Sequence, residues 1–154
     1  MEKISIIHEQ MIWKLIRNLE FFENFSLDEK KKLFEFYKNI YSFEKGEVLI
    51  NEGDTDNCFY ILIGGIVSVC KGKDFKKIAT LNPGDIFGEI SFITNTPRIS
   101  SIKADDSVLV VRVNNDMLNE LNVEMREKIK DKIIERLGNR LNNMNNVLID
   151  FFKL

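Results

Sequence analysis

The chain has 154 residues, 44% of them hydrophobic and 30% charged, which is the mix of a single globular domain and excludes disordered and fibrous classes. Lys plus Arg total 22 against 24 Asp plus Glu, and a net charge of −2 argues against nucleic-acid binding or a polybasic membrane anchor, since both need cationic excess. The single histidine, His8, excludes metal centres built on several histidines and leaves histidine-dependent nucleophilic catalysis only one residue to recruit.

Cys58 and Cys70 are too few for a disulfide framework and lack CxxC spacing, so they read as buried thiols in a reducing, cytoplasmic setting. No basic start leads into an apolar run, so no signal peptide is expected. The longest uncharged stretch, Cys58 to Cys70, falls short of the roughly 20 residues that span a bilayer. No membrane span is expected either.

Glycine placement divides the chain. Seven of the 8 glycines lie between Gly46 and Gly88, which makes the middle turn-rich and leaves helices at both ends. At the N-terminus, Ile4, Ile7, Met11, Leu15, Leu19 and Phe22 recur every three or four residues as an amphipathic stripe, with His8 on the helix surface. Ser26-Leu27-Asp28-Glu29 fits a capping box and predicts a second helix from Leu27 to Lys38 that buries Leu33, Phe34 and Tyr37. From about Ile40 to Val113, short apolar or alternating runs alternate with turn signals. The runs are Glu47 to Ile50, Cys58 to Ile63, Ile66 to Cys70, Lys76 to Leu81, Ile99 to Ala104 and Val108 to Val113. Many short strands at this spacing predict a sandwich or small barrel. From Asp116 onward helical periodicity returns. Ile134, Leu137, Leu141, Met144, Leu148 and Phe151 form an apolar heptad interrupted by Gly138, a candidate bend, with Glu124 and Lys128 as an i,i+4 pair.

The segment with chemical content runs from Gly84 to Ser101. Gly88 permits a tight turn into a short helix over Glu89 to Ile93, whose first amides lack internal partners and attract an anion. Arg98 follows. In a chain with 16 Lys and 6 Arg, an arginine here is informative, because its planar fork suits a phosphate. Glu89 would repel an anion, but an ionised carboxylate accepts from a hydroxyl, and a ribose 2′-OH is a suitable donor. Each residue also has a plainer reading. Arg98 could be an exposed loop cation, Glu89 a favourable charge at a helix start, Ser91 and Ser101 cap or strand-face hydroxyls, and Gly84 and Asp85 turn formers.

Phe87-Gly88-Glu89-Ile90-Ser91-Phe92, followed by Pro97-Arg98-Ile99-Ser100-Ser101-Ile102, resembles the phosphate-binding cassette of cyclic nucleotide-binding domains. Phe43-Glu44-Lys45-Gly46-Glu47, Glu52-Gly53-Asp54, Tyr60 to Gly65 and Asn82-Pro83-Gly84-Asp85 resemble the turn and strand signatures of the same family, extending the likeness from Leu19 to Leu154. The resemblance implies a single domain over residues 1–154. It is mainly β with flanking helices: N-terminal helices (1–39), an eight-stranded antiparallel, jelly-roll-like β-roll (40–113) containing the cassette (87–101), and a long C-terminal helical segment (116–152).

It further implies that Phe87, Gly88, Glu89, Ile90, Ser91, Arg98, Ile99, Ser100 and Ser101 bind the ligand, with Arg98 on the cyclic phosphate and Glu89 on the ribose 2′-OH. Leu137, Leu141 and Met144 would cover the base, form a dimer seam, or do both. No metal is implied. The ligand expected is cAMP, with cGMP second, because the residue after the arginine is Ile99, which has no hydroxyl for a guanine amino group. After the last strand the heptad consumes the remaining chain, so no DNA-recognition helix is expected.

The expected function is therefore a non-catalytic cyclic nucleotide sensor. It would signal through its C-terminal helix, to a second copy of itself or to a separate effector. The alternative is a ligand-free roll acting as a dimerisation or interaction scaffold. A cupin-type metalloenzyme is disfavoured because the strand region contains no histidine.

Overall fold

The computed structural model describes residues 2–3, 9–35 and 39–152. The chain order is β1 (Glu2–Lys3), α1 (Glu9–Asn18), a 3-10 turn (Glu20–Phe22), α2 (Leu27–Phe34), β2 (Ile40–Phe43), β3 (Val48–Ile50), β4 (Cys58–Gly64), β5 (Val67–Lys71), β6 (Lys76–Leu81), β7 (Ile86–Phe87), α3 (Glu89–Thr94), β8 (Ser101–Ala104), β9 (Val108–Asn114), α4 (Asn115–Glu120) and α5 (Val123–Phe152). Eight antiparallel strands, β2 to β9, build the roll, and the two-residue β1 adds to its edge beside β2. One sheet has the order β1-β2-β9-β4-β7 and the other β3-β8-β5-β6.

The unbroken apolar run of β4 has a simple cause, since successive side chains on a strand point to opposite faces. Cys58, Tyr60 and Leu62 join the core between the two sheets. Phe59, Ile61 and Ile63 join a second core between the five-stranded sheet and the helices. At the far edge of the other sheet, β6 is exposed along almost its whole length and opens on Lys76-Lys77, charges that discourage edge-to-edge pairing.

The capping box at α2 forms as read: Ser26 Oγ accepts from the Glu29 amide at 3.1 Å and Glu29 Oε1 accepts from the Ser26 amide at 2.9 Å. Four expectations need correction. The buried stripe of α1 is Ile12 and Ile16, one residue out of phase with the predicted one, and Met11 is exposed. The helix ends at Asn18 and the chain tightens into the 3-10 turn, so Phe22 reaches the core from a different element. α2 stops at Phe34, with Leu33 and Phe34 half-buried. The C-terminal helical segment is broken in two, because Leu121 is extended while Asn114 and Asn122 side chains cap α4 and α5 through the Met117 and Met125 amides. His8, Ile4, Ile7 and Tyr37 lie outside the residues whose side chains are described.

The first half of α5 is fixed by cations at every fourth position, each reaching an acid on a different part of the chain. Lys128 meets Glu29 at 2.6 Å, Lys132 meets Glu23 at 2.9 Å, Arg136 meets Asp85 at 3.5 Å, and Arg140 meets Glu89. The predicted Glu124–Lys128 pair is long, at 4.0 Å, because Lys128 turns to the α2 cap instead. Beyond Arg140, residues 141–152 are all exposed.

Candidate functional site

A cavity of about 410 Å³ opens between the four-stranded sheet, the cassette and α5. Part of the lining is apolar, from Ile50, Val69, Ile78, Leu81 and Ile102, and part comprises Phe87 to Ser91 and Arg98 to Ser100. Arg140 and Met144 complete it. A flat apolar ring suits the first part and a charged or hydroxylated group the second.

The cassette turn depends on glycine. Gly88 has φ +78°, and a Cβ there would lie 2.5 Å from Arg98 Nη1. Its carbonyl accepts from Arg98 Nη1 at 2.7 Å. α3 then begins at Glu89, and Ser91 Oγ donates to the Pro97 carbonyl at 3.3 Å, tying the helix to the loop that carries Arg98.

Arg98 is not an exposed loop cation, being only 3% exposed. Its fork grips Asp56, with Nε to Oδ1 at 2.9 Å and Nη2 to Oδ2 at 2.8 Å, and Nη2 also donates to the Cys58 carbonyl. Of five guanidinium N–H groups these contacts use four and leave one on Nη1 uncommitted. Asp56, which the sequence reading passed over, is therefore the group that aims Arg98. Those hydrogen bonds hold its carboxyl at about 2, below the ordinary 3.8, against the opposing effect of burial. A depressed carboxyl adds stability above its unfolded value and loses it as the pH falls through the folded one. Asp56→Asn should accordingly lower stability at neutral pH by about 1 kcal/mol, allowing for the solvent exposure of the carboxylate. It should also flatten the loss of stability between about pH 4 and pH 2. Denaturant titrations across that range measure both, and an unchanged acid limb would contradict the assignment.

Glu89 is 2% exposed, and Arg140 Nη1 donates to its carboxylate while Nη2 donates to the Ile86 carbonyl. Burial raises its carboxyl above the ordinary range, with the Arg140 charge opposing. Arg140 was also missed in the sequence, although it lies one turn past Arg136 on the same helix face.

Phe87, Gly88, Glu89, Ile90, Ser91, Arg98, Ile99 and Ser100 share the cavity, as does Met144. Three expected residues do not line it. Ser101 is buried behind it, its hydroxyl accepting from the Glu52 amide at 2.9 Å, because the strand begins there and turns the side chain inward. Leu137 packs at the edge of the helical core, and Leu141 faces solvent on the exposed part of α5. Cys58 and Cys70 are buried free thiols, and the Cys58 sulfur lies between Asp56, Arg98 and Arg112, at 3.2, 3.5 and 3.3 Å. Asp85 forms its turn, accepting from the Asn82 amide at 2.9 Å, and also receives Arg136. Among the described residues no helix is long and apolar enough to cross a membrane, and no cluster of His, Cys, Asp and Glu could hold a metal ion.

The family model for the cyclic nucleotide-binding domain matches residues 40–123, more than half of the chain, and the chain belongs to that family. The cAMP-dependent protein kinase regulatory subunit of Hypocrea atroviridis is 32% identical over 79 residues, covering 51% of this chain and 17% of that protein. The chain spans well under half the length of curated relatives it matches. A solved structure described as Sp-2Cl-cAMPS bound to PKAR CBD2 superposes with a TM-score of 0.68 at 24% identity, covering 92% of both chains. A cyclic nucleotide-binding domain from Methylobacillus flagellatus superposes with a TM-score of 0.73 at 21% identity, covering 94% of this chain and 84% of that one.

Proposed function

We propose that this domain is a non-catalytic, cytoplasmic receptor for a cyclic nucleotide, cAMP by preference, whose C-terminal helix carries the output to a second copy or to a separate effector. The observation that carries the reading is the convergence of Arg98 and Glu89 on one cavity that also has an apolar lining. The free Nη1 proton and the cassette amides would take the phosphate, Glu89 the ribose hydroxyl, and the Ile78–Leu81 side and Met144 the base. Ile99 offers a purine no side-chain donor or acceptor, which favours adenine over guanine. Output follows from Arg140. A ribose on Glu89 occupies the carboxylate that now holds α5, so ligand and helix have different contacts in the two states, as any population shift requires. Calorimetric titration should give saturable one-to-one binding of cAMP, tighter than cGMP. Absence of heat or thermal protection with either nucleotide would overturn the reading.

One observation favours the scaffold alternative: Arg98 and Glu89 both have protein partners already, so their charges are paired without a ligand. A dimer whose melting temperature ignores every cyclic nucleotide would support that reading instead.

A further inference from the structure

We infer that α5 pairs two copies of this chain antiparallel, crossing near Gly138, so that the free end of each helix lies along the first half of the other. This deepens the reading of α5 as a dimer seam. Leu141, Leu148 and Phe152 lie on one stripe of the helix and are exposed, on a stretch with no core of its own to join. The same stripe runs back through Gly138 and Ile134 to Lys130, Glu127 and Val123, also exposed, in steps of three and four.

The order of residues in the stripe selects the orientation. Parallel pairing sets each residue against itself, so Lys130 would face Lys130 and Glu127 would face Glu127 inside the seam. Antiparallel pairing about Gly138 sets Ile134 against Leu141, Lys130 against Asn145, Glu127 against Leu148 and Val123 against Phe152. The charged half of each helix then meets a half with no charge from Leu141 to Ile149. Gly138 has no neighbouring atom within 4 Å of where a Cβ would stand, so the two backbones can approach at the crossing. Antiparallel helix dipoles also attract, and the carbonyl end of each helix comes to rest near Arg126 and Lys130 of the other.

A second observation supports this arrangement. A groove of about 360 Å³ flanks the first half of α5, with Phe92, Ile93, Leu118 and Ile133 on its floor and Arg126 and Lys130 at its rim. In an antiparallel pair related by a two-fold axis, equivalent flanks of the two helices adjoin. Phe151, exposed on the corresponding flank of the free end, is thereby brought to the groove of the second copy. In a parallel pair the groove has no such occupant.

Sedimentation equilibrium of the full chain should show a dimer, and Leu141→Asp, which sets a charge against Ile134 beside the crossing, should weaken it at least roughly tenfold, as expected for a charge placed in the apolar centre of an interface. Asn145→Lys sets two lysines together in either orientation and should weaken the dimer by roughly two- to fivefold. Adding Lys130→Glu to it restores the dimer only if the helices are antiparallel, because in a parallel pair residues 130 and 145 lie about 22 Å apart along the axis. As a covalent check, oxidation should link copies of a Lys130→Cys, Asn145→Cys double variant and should not link Asn145→Cys alone. A chain that stays monomeric at every concentration reached, a double charge variant that is not rescued, or self-linking of Asn145→Cys would each overturn the inference. Nucleotide titration of the same preparations is read separately, so a monomer that binds cAMP defeats only the pairing, and a dimer that binds nothing defeats only the receptor.

Discussion

Replacing Arg98 with alanine is expected to lower cyclic nucleotide affinity by at least about a hundredfold and to cost the fold roughly 3 kcal/mol. Hydrogen bonds to charged groups contribute about 1.5–3 kcal/mol each, and every 1.4 kcal/mol is tenfold in affinity, so losing the phosphate contact and the cradle it supports accounts for the first figure. The second follows from what stays behind. Asp56 loses its bidentate partner, and the Gly88 and Cys58 carbonyls lose their donors inside the roll. Arg98→Lys separates the two effects. It retains the positive charge but cannot reach Asp56, Gly88 and Cys58 together, so it should recover only part of the stability and less of the binding. Calorimetry with cAMP and guanidinium unfolding measure the pair. An alanine variant that binds as well as the natural chain would remove Arg98 from the site.

Glu89→Gln is expected to act in opposite directions on the two measurements, weakening nucleotide binding by about ten- to a hundredfold while leaving the melting temperature unchanged or higher. The carboxylate is buried and its carboxyl raised chiefly by that burial, so its charge is a burden on the folded state at neutral pH. The burden fades as the pH falls through the raised value, because there the folded chain binds a proton that the unfolded chain does not. Glutamine should erase that slope. Arg140, left without its acid, is 38% exposed at the side chain and can recover water. The accepting charge for a ribose hydroxyl is lost at the same time. A variant that loses stability and keeps affinity would show that Glu89 only fastens the helix.

The legible parts of the sequence were those with short-range causes. The capping box at Ser26 and the Gly88 turn each depend on neighbours within a few residues. The helix break at Leu121 was equally local and still missed, since Asn114 and Asn122 are ordinary capping residues whose effect shows only when the amides three positions on are counted. The phase error in α1 has another origin. Met11 and Ile12 are both apolar, and which of them is buried is decided by the sheet against which the helix packs. Within the site, the motif located Arg98 and Glu89 but not Asp56 or Arg140, whose contacts span 42 and 51 positions of the chain. No periodicity carries information over such distances.

The free end of α5 gives the cavity mechanical advantage. The last ion pair of that helix is Arg140 on Glu89, at the cavity wall, and twelve exposed residues follow. At 1.5 Å per residue they make an arm about 18 Å long, so a tilt of about 10° at its base displaces the tip by about 3 Å. On the proposed reading, a rearrangement no larger than a hydrogen bond at Glu89 would thereby be enlarged to the width of a side chain at the far end.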